Sequence, residues 1–249
     1  MNKTFFQYLS ALIWESQKKY DDAYIDYEIC YKIDSTSTAL HSALLRSSKL
    51  ARREDSYKKW KQEFPHIIEN PDWYDPKKGE LIVIYQQGWG PRKATNPSEP
   101  RFPILRPYPS RTQYSKISLS NKIEAVSEPI YNIEATAIKT LQDDAASLLG
   151  RRLGGIATKA VLADQIRQKN QGLGDLAWIV MNLSDRADLR QWSTLPESIQ
   201  ILRIPLSPGE YKYTLQGLDF YKEPTQEVKD GSVSIKKGQK SFLIWRSLN

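Results

Sequence analysis

The run Leu81-Ile82-Val83-Ile84-Tyr85, set between Glu80 and Gln86, constrains the fold more than any other stretch. Its apolar residues do not alternate with polar ones, and the run is too short for a buried helix. It therefore predicts a strand covered on both faces. The strand exits through Gly88-Trp89-Gly90-Pro91 and then Arg92-Lys93. Glycines let the backbone turn there. Trp89 either plugs the core or faces a partner. No acid, base or nucleophile in this turn makes it an active loop.

The chain before this strand is helical in pattern. Phe5, Leu9, Leu12 and Ile13 form one stripe, and Tyr20, Ala23, Tyr27, Cys30 and Tyr31 form the next. Ala11, Trp14, Ala23, Tyr27 and Cys30 resemble the alternating small and aromatic residues of a tetratricopeptide (TPR) repeat. Lys18 stands where that repeat carries its turn glycine. Leu40, Leu44, Leu45 and Leu50, then Tyr57, Trp60 and Phe64, predict a second hairpin. Two hairpins are barely a free-standing solenoid, so they should pack on the rest of the chain. Their aromatics read as helix–helix core in preference to a peptide groove. Pro65, Pro71 and Pro76 close the helical part, giving a helical domain over residues 1–70.

Residues 71–249 read as a β-rich domain. Six prolines between 91 and 111 exclude a helix and predict an extended arm, which either wraps a partner or covers a sheet edge. Gln113 to Leu119 predicts a strand, with Ile123 to Val126 pairing back. A helical insertion is expected over 133–183. Two hairpins follow in the pattern, one turning at Pro208-Gly209 and one at Lys236-Lys237-Gly238-Gln239. The expected fold class is α+β: TPR-like helical hairpins, then an Ig-like β-sandwich carrying the helical insertion.

Charge narrows the partners. The net charge is +7, and residues 91–122 hold seven cations against the single anion Glu99. Such a strip favours an anionic partner, or is simply a solvated loop. Arg92, Lys93, Arg101, Arg106 and Arg111, with Trp89, are the candidate partner-binding residues. Most Tyr and Trp fall on apolar stripes, which disfavours nucleic acid. Only His41 and His66 are present, both better read as packing or surface residues than as catalytic bases. Cys30 is the single cysteine, and no Cys/His cluster suggests a metal. Gly150-Arg-Arg-Leu-Gly-Gly155 lacks the Gly-Lys-Ser/Thr of a phosphate loop. Neither an enzyme nor a cofactor is expected. No signal peptide and no run of transmembrane length is visible, which predicts a soluble chain.

Three stretches together resemble an uncharacterised family of bacterial outer-membrane lipoproteins. They are Tyr8 to Glu15 leading to Tyr20 to Tyr27, Gly79 to Tyr85 with Gly88, Gly90, Pro91 and Lys93, and Ala187 to Pro196 followed by Ile199 and Pro208-Gly209-Glu210-Tyr211. Gly88, Gly90, Pro91, Arg190, Trp192 and Pro196 carry the signature. The resemblance implies the periplasm, at the outer membrane, with a lipid anchor on a cysteine upstream of Met1. The upstream helices and the lipoprotein signal are absent from this sequence. The function expected is a non-enzymatic scaffold or assembly subunit of a cell-envelope complex, contacting envelope proteins in a multi-subunit or ring assembly. The alternative is a module binding an anionic envelope polymer, peptidoglycan or lipopolysaccharide, through the basic arm.

Overall fold

In the computed structural model, which describes residues 4–98, 102–144, 164–165, 168 and 188–248, the chain opens with two helical hairpins. They are α1 (Thr4–Ser16) with α2 (Tyr20–Ile33), and α3 (Thr38–Leu50) with α4 (Glu54–Glu63). The second hairpin repeats the boundaries of the first: Thr38 answers Thr4, Leu50 answers Ser16, and Glu54 answers Tyr20. The turns repeat too, with Lys18 at φ 60° and Arg52 at φ 57°. Lys18 thus takes the left-handed conformation for which glycine is the usual residue, at a cost of about 1 kcal/mol for its Cβ. The buried face of α1 is Tyr8, Ala11, Leu12 and Glu15, rotated from the stripe expected, so Ile13 is 55% exposed. The rotation brings Tyr8 edge-on to Tyr27 and lets Glu15 accept from the Tyr27 hydroxyl. His41 stacks on Phe64 and contacts the Ser35 carbonyl, a packing role.

A short 3-10 turn at Pro71–Tyr74, capped by the Asn70 side chain, leads to β1 (Gly79–Gln87). The strands that follow are β2 (Arg92–Thr95), β3 (Pro103–Arg106), β4 (Tyr114–Leu119), β5 (Glu124–Val126), β6 (Glu128–Asn132), β7 (Ser198–Leu206), β8 (Gly209–Leu218), β9 (Pro224–Ile235) and β10 (Lys240–Arg246). They form two four-stranded sheets, β10-β1-β7-β6 and β5-β4-β8-β9, and a two-stranded ribbon β2-β3. The chain is therefore α+β, a helical block followed by a multi-strand sheet region. Residues 133–144 are helical. Most of the insertion expected over 133–183 lies outside the described residues.

Both faces of β1 are covered, as its uninterrupted apolar run requires. Leu81, Val83 and Tyr85 point to the second sheet and join Ile117, Leu202, Ile204, Leu215, Ile235 and Trp245 in one cluster. Ile82 and Ile84 point the other way, into a cluster with the helices. The helical hairpins thus pack on the sheet, as their small size demanded. Met1–Gly90, Pro109–Ile133 and Leu195–Asn249 form one compact unit, and Pro91–Tyr108 with Glu134–Thr194 form a second.

The two expected hairpins are not formed. β7 pairs with β1 and β6, whereas β8 pairs with β4 and β9, so Pro208-Gly209 carries the chain from one sheet to the other. Likewise β9 stays with β8, while β10 crosses over to pair in parallel with β1. The cause is burial: β7, like β1, is covered along most of its length, and such strands take the middle of a sheet. β4 and β5 pair back as expected, and in the C-terminal part the hairpin that forms is β8–β9, turning at Asp219 to Glu223. Most of β9 is polar and exposed, which hid it from an apolar pattern. The pattern also missed β6, an edge strand whose Pro129 sits at a register shift.

Between the helices and the first sheet lies a buried ion cluster. Glu15 of α1 and Glu80 of β1 meet Arg46 of α3, Arg203 of β7 and Lys240 of β10. Register places them: Lys240 lies opposite Glu80, and Arg203 opposite Ile82, two residues along. Arg46 donates to both Glu15 oxygens at 2.8 and 2.9 Å and to Glu80 at 2.6 Å. Arg203 donates to Glu80 at 2.8 and 2.9 Å and to Glu15 at 2.6 Å. Burial alone would push the Glu15 carboxyl up, but Arg46 and Lys240 beside it outweigh burial and hold it below its usual range.

Removing one of the two carboxylates leaves three buried cations facing a single anion. Glu15→Gln is expected to cost about 3–5 kcal/mol, read from urea unfolding. Because the folded carboxyl is depressed, its contribution is complete above the unfolded value of 4.5 and fades as pH falls through the lower folded value. The wild-type midpoint should therefore fall more steeply between pH 7 and pH 3 than that of the variant.

Candidate functional site

The exit turn of β1 is built from contacts within its own unit. Gly88 has φ 55° and is buried; a Cβ there would meet the Cβ of Ser110 at 2.8 Å. The Gly90 N–H donates to the Leu195 carbonyl at 2.8 Å, and Pro196 beside it is buried. Trp89 is half-buried. Its indole N–H donates to the Leu248 carbonyl at 2.9 Å, and the Arg246 guanidinium lies 5.2 Å from its ring. The tryptophan therefore packs on the C-terminal end of the chain.

In the second unit, β2 and β3 pair with each other. Their register sets Arg92 directly opposite Arg106, Lys93 opposite Leu105 and Thr95 opposite Pro103. Pro103 begins its strand, a position that tolerates the missing N–H. Arg92 and Arg106 are both exposed, and the Arg92 guanidinium also sits 4.6 Å from the Tyr108 ring. The register thus sets two guanidinium groups side by side on one ribbon. Lys93 is occupied differently. Its backbone N–H donates to the Gln191 side chain, and its ammonium donates to the carbonyls of Asp188 and Arg190 at 3.3 and 3.1 Å. Arg190 forks onto Asp188 and holds that carboxyl well below its usual range. Trp192 is 74% exposed. Arg111, in the first unit, is exposed, and Arg101 lies outside the described residues.

A third surface went unread in the sequence. On α2, Ile25, Ile29 and Ile33 are 42%, 37% and 43% exposed and recur every fourth residue, on one helix face. The signal was present as a second apolar stripe, masked by the stripe of Ala23, Tyr27 and Cys30 that faces the core. Compared with known proteins, the chain matches no family model, no curated protein and no solved structure.

Chemistry is sparse among the described residues. Burial pushes the Cys30 thiol up to about 12, so it is protonated at neutral pH and a poor nucleophile. No group of three or more His, Cys, Asp or Glu is placed to hold a metal ion, and no helix is long and apolar enough to cross a membrane, among the described residues. The signature glycines have a structural cause instead. Gly88→Ala is expected to cost about 1–3 kcal/mol through its positive φ and the Ser110 clash, measured by denaturant unfolding.

Proposed function

We propose that this chain is a non-enzymatic scaffold or assembly subunit of a bacterial cell-envelope complex, working through contacts with other envelope proteins. The observation that carries the reading is the exposed isoleucine stripe of α2. Monomeric soluble proteins seldom line up large apolar groups on one outer face unless another surface covers them. The helical block supports it: the hairpin boundaries recur after 34 residues, Thr4 to Thr38 and Ser16 to Leu50, which is the tetratricopeptide period. Ala11, Ala23 and Cys30, the small residues of that sequence pattern, are fully buried. The Ig-like reading of the strands rests on two four-stranded sheets enclosing one apolar cluster. The location, periplasmic and at the outer membrane through an upstream lipid anchor, rests on the family resemblance of the three sequence stretches.

A photo-crosslinking residue at position 29 should trap an adduct of discrete mass in envelope extracts, and one at Lys58 on α4 should not. Ile25→Ser, Ile29→Ser and Ile33→Ser together should weaken that association at least tenfold, since each loses about 1 kcal/mol of apolar burial. A chain that stays monomeric and traps nothing at position 29 would reject the reading.

The opposed Arg92 and Arg106 favour a second reading, a binder of anionic envelope polymer, peptidoglycan or lipopolysaccharide, through the basic arm. It predicts that co-sedimentation with sacculi or lipopolysaccharide falls as salt rises and is lost in Arg92→Glu/Arg106→Glu. Binding that ignores both salt and charge reversal would sink it.

A further inference from the structure

A cavity of about 280 Å³ opens onto the buried ion cluster, with Glu15, Arg46, Glu80 and Lys240 among its lining residues. Among the described residues the cluster is not electrically balanced: Arg46, Arg203 and Lys240 face two carboxylates. The side chains of Arg46 and Lys240 are 7% and 12% exposed, so the surplus positive charge is largely withdrawn from water. Burying an uncompensated unit charge costs several kcal/mol, which a single negative charge beside it would offset.

Hydrogen bonding tells the same story. An ammonium has three N–H groups, and Lys240 uses two, on Glu15 and Glu80. Arg46 Nε is buried and has no partner. Arg203, by contrast, bonds through Nε and both terminal nitrogens. Both Arg46 and Lys240 line the cavity, and the Lys240 ammonium keeps one N–H beyond its two carboxylate partners. The rim adds no net charge: Lys78 pairs with Asp72 at 3.0 Å, and Lys18 offsets Asp75. The lining also includes the apolar and aromatic side chains of Leu50, Trp73, Tyr74 and Pro205.

We infer that this cavity is a binding site for a small organic monocarboxylate, its carboxylate meeting Lys240 and Arg46 and its apolar body lying against Trp73 and Leu50. One negative charge balances the cluster, whereas a dianion would overshoot it, so a carboxylate fits better than a phosphate. The size suits a single aromatic or aliphatic group behind the acid. The acid could be free or the C-terminus of a peptide, which share this chemistry. The site is distinct from the α2 stripe and does not depend on the scaffold reading.

The test is calorimetric titration of the intact chain with 3-phenylpropionate, with the tripeptide Gly-Gly-Phe, with the amide of each, and with inorganic phosphate. Saturable binding of one or both free acids is expected, with amides and phosphate at least tenfold weaker. Binding of the propionate alone assigns a free acid, and binding of the tripeptide assigns a chain terminus. Ser16→Trp, at an exposed position on the lining, should block the cavity and abolish binding with the fold intact by circular dichroism. Lys240→Gln leaves two cations for two carboxylates; it should lose binding at least tenfold with an unliganded Tm equal to or above that of the wild type. No saturable binding by either acid, equal binding of the amides, or binding that survives Ser16→Trp would overturn the inference.

Discussion

The contact on which the rest of the molecule depends is the meeting of Glu15 and Glu80 with Arg46, Arg203 and Lys240. It draws one residue from each of two helices and three strands. Hydrophobic burial alone would hold the helices on the sheet without fixing where they sit, because isoleucine contacts slide at little cost. Forked bonds between guanidinium and carboxylate have a direction and a length. They set α1 and α3 over one end of β1 and require β7 and β10 to flank it. Buried ion clusters contribute little net stability against an apolar equivalent, so register is the better account of this one.

β1 is where these demands converge. One face belongs to the inter-sheet cluster, through Leu81, Val83 and Tyr85. The other belongs to the helices, through Ile82 and Ile84, and ends in the charge of Glu80. A one-residue slip would exchange the faces, placing Glu80 in the apolar layer and leaving three cations without it. The pairing with β7 extends over the whole strand, and the parallel pairing with β10 over nearly all of it, so a slip would have to break both ladders together.

Much of this was legible in the sequence, and the failures have physical causes. Helix existence and the doubly covered strand follow from local periodicity, which residues 4–64 and 81–85 display plainly. Partner choice does not follow from it. Ile199 to Leu206 and Tyr211 to Leu215 flank a turn dipeptide, and nothing local says that the chain changes sheets at Pro208-Gly209. That outcome depends on β1 already occupying one side of β7. The ion cluster was invisible for the same reason: Glu15 and Arg203 are 188 residues apart, and each alone reads as a solvated surface charge. The candidate site residues divided. Gly88 and Gly90 lie in a turn closed by the chain itself, with Pro196 beside it, Lys93 is held by backbone carbonyls, and Arg92 and Arg106 came to lie opposite each other only through the ribbon's register.

A block of two helical hairpins has more apolar surface than it can cover by itself. On the side facing the sheet, Ile82, Ile84, Ile130, Ile199 and Ile201 complete the cluster begun by Tyr8, Tyr27 and Leu44. The sheet thus covers that side of the helical block. A helix at the surface of a soluble domain ordinarily turns a polar face outward. α2 keeps three isoleucines there instead. Helix propensity does not ask for them, since isoleucine is a weaker helix former than the leucine, lysine or glutamate that could replace it. Packing within the hairpin does not ask for them either, because that face points away from Ala23, Tyr27 and Cys30. The exposed stripe is therefore apolar surface in excess of what the hairpin and the sheet cover, on the side of the block opposite to the one seated on β1, β6 and β7.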